Sequence, residues 1–306
     1  MKKVIKQKLI HLHRCRGITR NKLRKLLQLD PSLSQLYLLS PSQLSNALTL
    51  NKNKASLLYQ DLHSQVMIDN VREDMTNYKI ITILDEKYPP MLKTIKDAPL
   101  VLYASGDLSL LYDVPSVSVI GTRNPSKSAF QKTKFVVNPL IKEKWVIVSG
   151  MAKGIDSLAH KLALYENGKT IAVLGSGFHH IYPKENINLF HQIEHNGLVI
   201  SEYPPNVPPK KYHFPERNRI ISGISFATLV IEATEKSGTM ITVDQALDQG
   251  REVYAVPGSP HIPQTTGCLK LIQEGAKLVV SHKDLQKDWE IQGKYWFNPA
   301  EDNKCK

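Results

Sequence analysis

Four short segments combine glycine with hydroxyl side chains, three of them with a basic side chain as well, in a way suited to holding phosphate. They are Gly121-Thr122-Arg123-Asn124-Pro125-Ser126, Ser149-Gly150-Met151-Ala152-Lys153-Gly154, Gly175-Ser176-Gly177, and Glu232 to Thr239 with its Ser237-Gly238-Thr239 turn. Glycine carries no Cβ and leaves backbone N–H groups open to an anion, so four such turns on one edge would form a broad anion-binding rim. Arg123, Lys153, Lys184, Lys211, Arg217 and Arg219 fall in or near the same loops. Guanidinium and ammonium groups beside exposed amides suit phosphates. Taken singly, each glycine also reads as an ordinary turn and each cation as a solvated side chain.

More familiar motifs fail on inspection. Gly175-x-Gly177 meets His180 where a dinucleotide fingerprint needs its third glycine. Gly168-Lys169-Thr170 mimics the end of a P-loop, but position 163 is Ala and the segment leads into a strand. His191-Gln192-Ile193-Glu194-His195 formally matches an inverted zinc-protease string. It falls where a covering helix belongs, however, with Leu189, Phe190 and Ile193 as its buried side and no third ligand following. Cys15, Cys268 and Cys305 are too scattered for a zinc cluster. We therefore expect no metal, no cofactor and no catalytic residue.

A parallel sheet is what would place the four turns together. From Val117 onward, short apolar strands alternate with helix-length segments: Val117–Ile120, Val146–Val148, Ile171–Leu174, Leu198–Ile200, Thr228–Ile231, Val253–Val256 and Lys277–Val280. That alternation predicts an α/β fold, a Rossmann-like, mainly parallel sheet with helices on both faces. Ligands of such sheets bind beyond the C-terminal strand ends. Before it, apolar residues recur at helical spacing up to about residue 75, as in Leu23, Leu26, Leu27 and Leu57, Leu58, Leu62, Val66. Ser40-Pro41-Ser42 predicts a capped helix start at Gln43 or slightly earlier. The expected organisation is a small all-helical domain over 1–75 (SAM or helix-hairpin-helix-like), a connecting extension over 76–110, the Rossmann-like domain over 111–282, and a polar tail over 283–306. Trp289 and Trp296 are the tail's large apolar anchors, and we expect partial order there at most. Pro139 predicts a kinked or shortened first covering helix.

Composition narrows the partner. The 306 residues carry 40 Lys plus Arg against 28 Asp plus Glu, a formal charge of +12 that favours polyanions. Ten of the basic residues, from Lys2 to Lys25, precede the first acid, Asp30. No apolar run approaches a membrane span, and His11, His13 and Arg14 break any signal-like run at once, so a cytoplasmic protein is expected.

The loops also resemble a known family, the bacterial DprA/Smf DNA-processing proteins of natural transformation. The matching strings are Ser118 to Arg123 with Pro125-Ser126, Ser149 to Asp156 with Ala159-His160, Tyr182 to Asn186, and Ser201 to Pro204. They continue with His213 to Gly223, Glu232-Ala233 before Ser237-Gly238-Thr239, and Val256-Pro257-Gly258 before Gly267-Cys268. They span roughly residues 80–282 in order. The resemblance implies a non-enzymatic protein that binds single-stranded DNA without sequence preference, protects it, loads the RecA recombinase and forms a homodimer. It implies phosphate contacts at Arg123, Lys184 and Lys211, with Gly121, Ser149, Gly150, Gly175, Ser237, Gly238 and Thr239 lining the pocket. Lys153, Gly177 and Asn218 are added as candidates from the same loops. Phe178 is a candidate base-stacking residue, with a core position as its alternative. Arg217 is favoured over Arg219 for DNA, the other pairing with Glu202 or Glu232. His179 stands where members often have Asp. Many members also carry a C-terminal winged-helix module, which the expected tail does not supply.

The competing function is a nucleotide-binding or nucleotide-cleaving enzyme related to phosphoribohydrolases, suggested by Ser237-Gly238-Thr239. Such an enzyme needs a carboxylate a few residues after the threonine. Met240, Ile241, Thr242 and Val243 intervene before Asp244.

Overall fold

The computed structural model describes residues 2–112 and 115–293. Trp296 and Cys305 lie outside them. The chain divides into two compact units, Met1–Tyr88 with Pro99–Tyr103, and Pro89–Ala98 with Ala104–Lys306. The segment 76–110, taken above as a connection, is thus shared between both.

The first unit holds the helices α1 (Lys2–Arg14), α2 (Arg20–Leu29), α3 (Pro41–Leu48), α4 (Lys52–Leu62) and α5 (Gln65–Asn77), and the strand β1 (Lys79–Thr82). Leu9, Ile10, Leu12, Leu23, Leu44 and Leu58 form its interior at 1% exposure or less. Helix α3 begins at Pro41 on a capping box between Ser40 and Gln43, as the Ser-Pro signal requires. The N-terminal basic block is largely absorbed by the unit itself. Lys6 pairs with Asp85 at 2.8 Å, Arg14 with Asp74, and Arg16 with Asp61 at 2.7 Å. Lys8 donates to Ser34 Oγ, and Lys22 to the Leu48 and Thr49 carbonyls that close α3.

Short α6 (Pro90–Lys93) opens the second unit, and β2 (Val101–Gly106) runs into it. There follow β3 (Ser116–Ile120), α7 (Ala129–Lys142), β4 (Val146–Ser149), α8 (Ile155–Tyr165), β5 (Thr170–Leu174), α9 (Ile187–Asn196) and β6 (Leu198–Ser201). The chain then forms α10 (His213–Gly223), β7 (Ala227–Val230), α11 (Gly238–Asp248), β8 (Glu252–Ala255), α12 (Pro263–Gln273), β9 (Lys277–Leu278) and α13 (Lys283–Gln292). Strands β3 to β9 are parallel neighbours in the order β6-β5-β4-β3-β7-β8-β9. This is the α/β, Rossmann-like arrangement that the strand–turn–helix alternation predicts. The order reverses direction at β3, and there the turns after β3 and β7 lie side by side.

Val117 and Val119 of β3 enter one buried cluster with Val136, Val137 and Leu140 of α7 and Ile155, Ala159 and Leu162 of α8. Ser118 faces the other way and donates to Thr228 Oγ1 at 2.8 Å. Alternation along a strand assigns the two to opposite faces.

The expected shortening of the first covering helix is corrected. Pro139 does not shorten α7, which runs unbroken through Ala129–Lys142. The carbonyl deprived of its donor belongs to Phe135, a surface residue at 64% exposure. In the tail, Leu285 of α13 is buried, and the Trp289 ring meets Trp145 and Phe226 with centroids 6.1 and 5.1 Å apart. No helix among the described residues is long and apolar enough to cross a membrane. Because Trp289 is only partly buried in this cluster, Trp289→Ala should cost about 2 kcal/mol, below the range for fully buried aromatics. Urea denaturation followed by circular dichroism would test this; an unchanged midpoint would show that α13 adds nothing to the core.

Candidate functional site

A cleft of about 820 Å³ opens at the C-terminal edge of the sheet in the second unit. Its floor and rim differ in character. Ile120, Asp156, Arg217, Ile221, Thr239 and Thr242 line it and are all under 9% exposed, forming the floor. Arg123, Asn124, Tyr182, Lys211, Lys236 and Gly238 line it and are exposed, forming the rim.

Backbone contacts hold the turns in place. Thr122 N–H donates to the Glu232 carbonyl at 2.7 Å, and Ile155 N–H to the Thr122 carbonyl at 3.2 Å. Gly154, with φ +80°, stands where a Cβ would meet the Thr122 carbonyl oxygen at 2.3 Å, so only glycine allows this approach. The fully buried Glu232 carboxylate accepts from Ser126 N–H, Ser126 Oγ and Lys132 Nζ at 2.6–2.8 Å. That pins the turn after β3 to the end of β7.

Below the rim lies a buried polar layer. Arg217 is 4% exposed and donates from Nη1 to the Val173 carbonyl at 2.6 Å, while its Nε has no hydrogen-bond partner. Burial pushes its pKa down to about 10; Arg123 adds to this and Asp156 opposes it, so the group stays charged at neutral pH. Asp156 accepts from Gly150 N–H at 3.2 Å, and burial raises its carboxyl pKa against the pull of Arg217. Next to this layer, His160 Nδ1 lies 2.6 Å from Thr170 Oγ1, which itself donates to the Ile147 carbonyl. Burial, then Arg217, pushes the His160 pKa down to about 3, so the ring is neutral when folded.

Of the residues expected at the site, the cleft gathers Gly121, Arg123, Lys211, Arg217, Asn218, Ser237, Gly238 and Thr239. Others stand apart from its lining. Ser149 is buried and donates to the Val119 carbonyl, and Gly150 lies against the Arg217 guanidinium. Gly175 lies against the Phe214 ring, and Gly177 against the Pro204 and Pro205 carbonyls. Lys184 is exposed at the start of a short 3₁₀ turn, and Lys153 pairs with Glu185 at 2.6 Å. Phe178 takes the core alternative: it is 6% exposed, with the Phe190 ring centroid 6.2 Å from its own, and so is closed to a stacking base. Arg219 is the structural arginine, 2.6 Å from Glu202, while Glu232 takes Lys132 instead.

The cleft also holds aromatic residues that sequence reasoning passed over. Tyr182, 50% exposed, has its ring centroid 5.3 Å from that of Phe214, and both line the cleft. Lys236 was likewise passed over as a rim cation. Both rings lie in loop or helix-entry strings without periodicity, so nothing local distinguishes the exposed ring from the half-buried one. His191 lies 3.4 Å from Glu194, and Glu194 accepts from Ser105 Oγ. Among the described residues, no three His, Cys, Asp or Glu side chains form a metal-binding group. Asp244, the nearest acid after Thr239, is exposed, and among the described residues lining the cleft Asp156 is the one carboxylate.

A family model for DNA recombination-mediator protein A matches residues 79–290. The chain belongs to this family, the DprA/Smf proteins. The DNA processing protein DprA of Bacillus subtilis (strain 168) is 46% identical to it over 205 residues, covering 67% of this chain and 69% of that protein. DprA of Streptococcus pneumoniae is 39% identical over 275 residues, 90% of this chain and 95% of that one. The X-ray structure of the Streptococcus pneumoniae protein matches with a TM-score of 0.81 at 38% identity, covering 92% of this chain and 97% of that chain. A structure of Helicobacter pylori DNA processing protein A, which addresses its single-stranded DNA binding mode, matches with a TM-score of 0.63 at 31% identity over 69% and 97% of the two chains.

In this DprA/Smf member the Gly150–Arg217 contact is tight, since a Cβ at Gly150 would meet Arg217 Nη1 at 1.8 Å. The guanidinium is held by Val173 and has nowhere to retreat. Gly150→Ala should therefore cost about 1–3 kcal/mol by overpacking, whereas Gly238→Ala, where a Cβ meets nothing within 4 Å, should leave stability unchanged. Thermal melts of the two variants side by side would check this, and equal melting temperatures would contradict it. A second expectation concerns pH. His160 titrates near 3 when folded against 6.5 unfolded. The unfolded chain takes the proton first, so stability is full above pH 6.5 and falls on acidification by about 1.4 kcal/mol per unit. Urea midpoints at pH 7.5 and 5.0 should fall less in His160→Gln than in the wild type; identical losses would remove His160 from the acid response.

Proposed function

We propose that the cleft binds single-stranded DNA through its phosphates, without reading sequence. The carrying observation is the convergence of Arg123, Lys211 and Lys236 on the rim of one cleft with two aromatic rings, the exposed Tyr182 and the half-buried Phe214. Cations and the N–H groups at the start of α11 suit the backbone, and aromatic faces suit unstacked bases of any identity. A duplex keeps its bases stacked inside and offers nothing to these rings. The DNA-processing names of the relatives and the single-stranded DNA studied with the Helicobacter pylori protein support the same reading.

The finer parts of the proposal rest on family membership. The protein protects the bound strand, delivers it to RecA, works as a homodimer in the cytoplasm and carries out no covalent chemistry.

Anisotropy of a fluorescent oligothymidylate, measured over a salt series, tests the reading. Affinity should fall steeply with salt, and loss of one phosphate contact in Arg123→Ala or Lys211→Ala should weaken binding about tenfold and shallow the log–log slope by about 0.7. Salt-independent binding, or a duplex that competes as well as a single strand, would overturn it.

A further inference from the structure

The floor of the cleft has features that a strand lying across the rim would not use. Arg217 is a charged side chain at 4% exposure, its Nε is unpartnered, and its one hydrogen bond runs to a carbonyl on β5. Ser237 sits at the N-cap position of the eleven-residue α11 with the extended backbone (φ −109°, ψ 157°) that a capping serine adopts. Yet its side chain makes no capping bond, and its buried Oγ has no partner. Thr239, 8% exposed, lines the same floor in the first turn of α11. Buried polar atoms normally find partners, and two that have none among the described residues, both on side chains of residues lining one cleft, indicate a ligand group that completes them.

We infer that the floor accepts a terminal phosphomonoester, the phosphorylated end of a DNA strand or a free nucleotide, in addition to the internal phosphates held at the rim. This rests on the reading of the cleft as a strand-binding site. The distinction is steric and electrostatic. An internal phosphodiester continues into chain on both sides and is served by the exposed cations Arg123, Lys211 and Lys236. A group that reaches buried Arg217 must enter and stop. A terminal phosphate does so, and it brings a second negative charge and a third free oxygen for Arg217, the Ser237 hydroxyl and the α11 N–H groups. Asp156 shares the floor, but its carboxylate is engaged by Gly150 N–H, and burial raises its pKa, which weakens its competition for Arg217.

The test compares three oligothymidylates of one length, bearing two hydroxyl ends, a 5′-phosphate or a 3′-phosphate, each competing against a labelled strand on the full chain. One phosphorylated strand should bind about tenfold tighter than the hydroxyl strand, the worth of one added charged hydrogen-bonding group. Thymidine 5′- and 3′-monophosphates as competitors separate the two ends and show whether a free nucleotide suffices. Arg217→Lys probes the floor directly. Ser237→Ala removes a hydroxyl that bonds to nothing in the folded chain and keeps the experiment decisive should the arginine variant fail to fold; it should shrink the preference to about threefold. Equal affinities of all three strands for the wild type, with salt-sensitive binding intact, would overturn the inference and leave the strand-binding site standing. Absence of binding to any of them would overturn both.

Discussion

At the end of β7 the Glu232 carboxylate, with no solvent exposure, receives the Ser126 amide, the Ser126 hydroxyl and the Lys132 ammonium. A buried carboxylate without partners would be strongly unfavourable, so these three donors are bound to it as firmly as it is to them. Ser126 lies in the segment that leads into α7, and Lys132 in the first turn of that helix. The Glu232 carbonyl meanwhile takes the Thr122 amide, and the Thr122 carbonyl takes the Ile155 amide. The turns after β3, β4 and β7 are thereby one hydrogen-bonded assembly. Arg123 projects from it, and the α11 start follows it a few residues on.

The cations of the protein separate by solvent exposure. Arg219 with Glu202, Lys132 with Glu232, and Arg251 with the carbonyls of Met91 and Gly223 are internal fasteners. The N-terminal basic block is likewise largely partnered, since Lys6, Lys8, Arg14, Arg16 and Lys22 all hold partners within the first unit, although Arg16 stays 60% exposed. Arg123, Lys211 and Lys236 at the rim remain exposed, and exposed cations gain most from releasing the counterions of a nucleic acid. Arg217 belongs to neither group, because it is buried like a fastener yet faces a cleft.

The strand–turn–helix alternation, the edge on which the glycine turns collect and the Ser40 cap were all legible in the residues, because each depends on local preference or on the period of apolar side chains. Pro139 misled for a local reason as well: a proline forbids one hydrogen bond, and whether that matters depends on whether the orphaned carbonyl faces water. Trp289 stood out as an apolar anchor of the polar tail, but a lone aromatic carries no period, so its partners Trp145 and Phe226 were not legible.

The sequence by itself determined the parallel α/β sheet, the family and the gathering of Gly121, Arg123, Lys211 and the Ser237 turn at one strand edge, since strand direction alone sends every turn there. Only the tertiary structure decided which member of a pair does which task. Phe178 went to the core and Tyr182 to the rim, Arg219 to Glu202 and Arg217 to the cleft floor, Lys153 to Glu185 and Lys236 to the open edge. The members of each pair have similar chemistry and sit in non-periodic or polar segments. Their burial is set by contacts with residues far away in the chain, which local spacing does not encode.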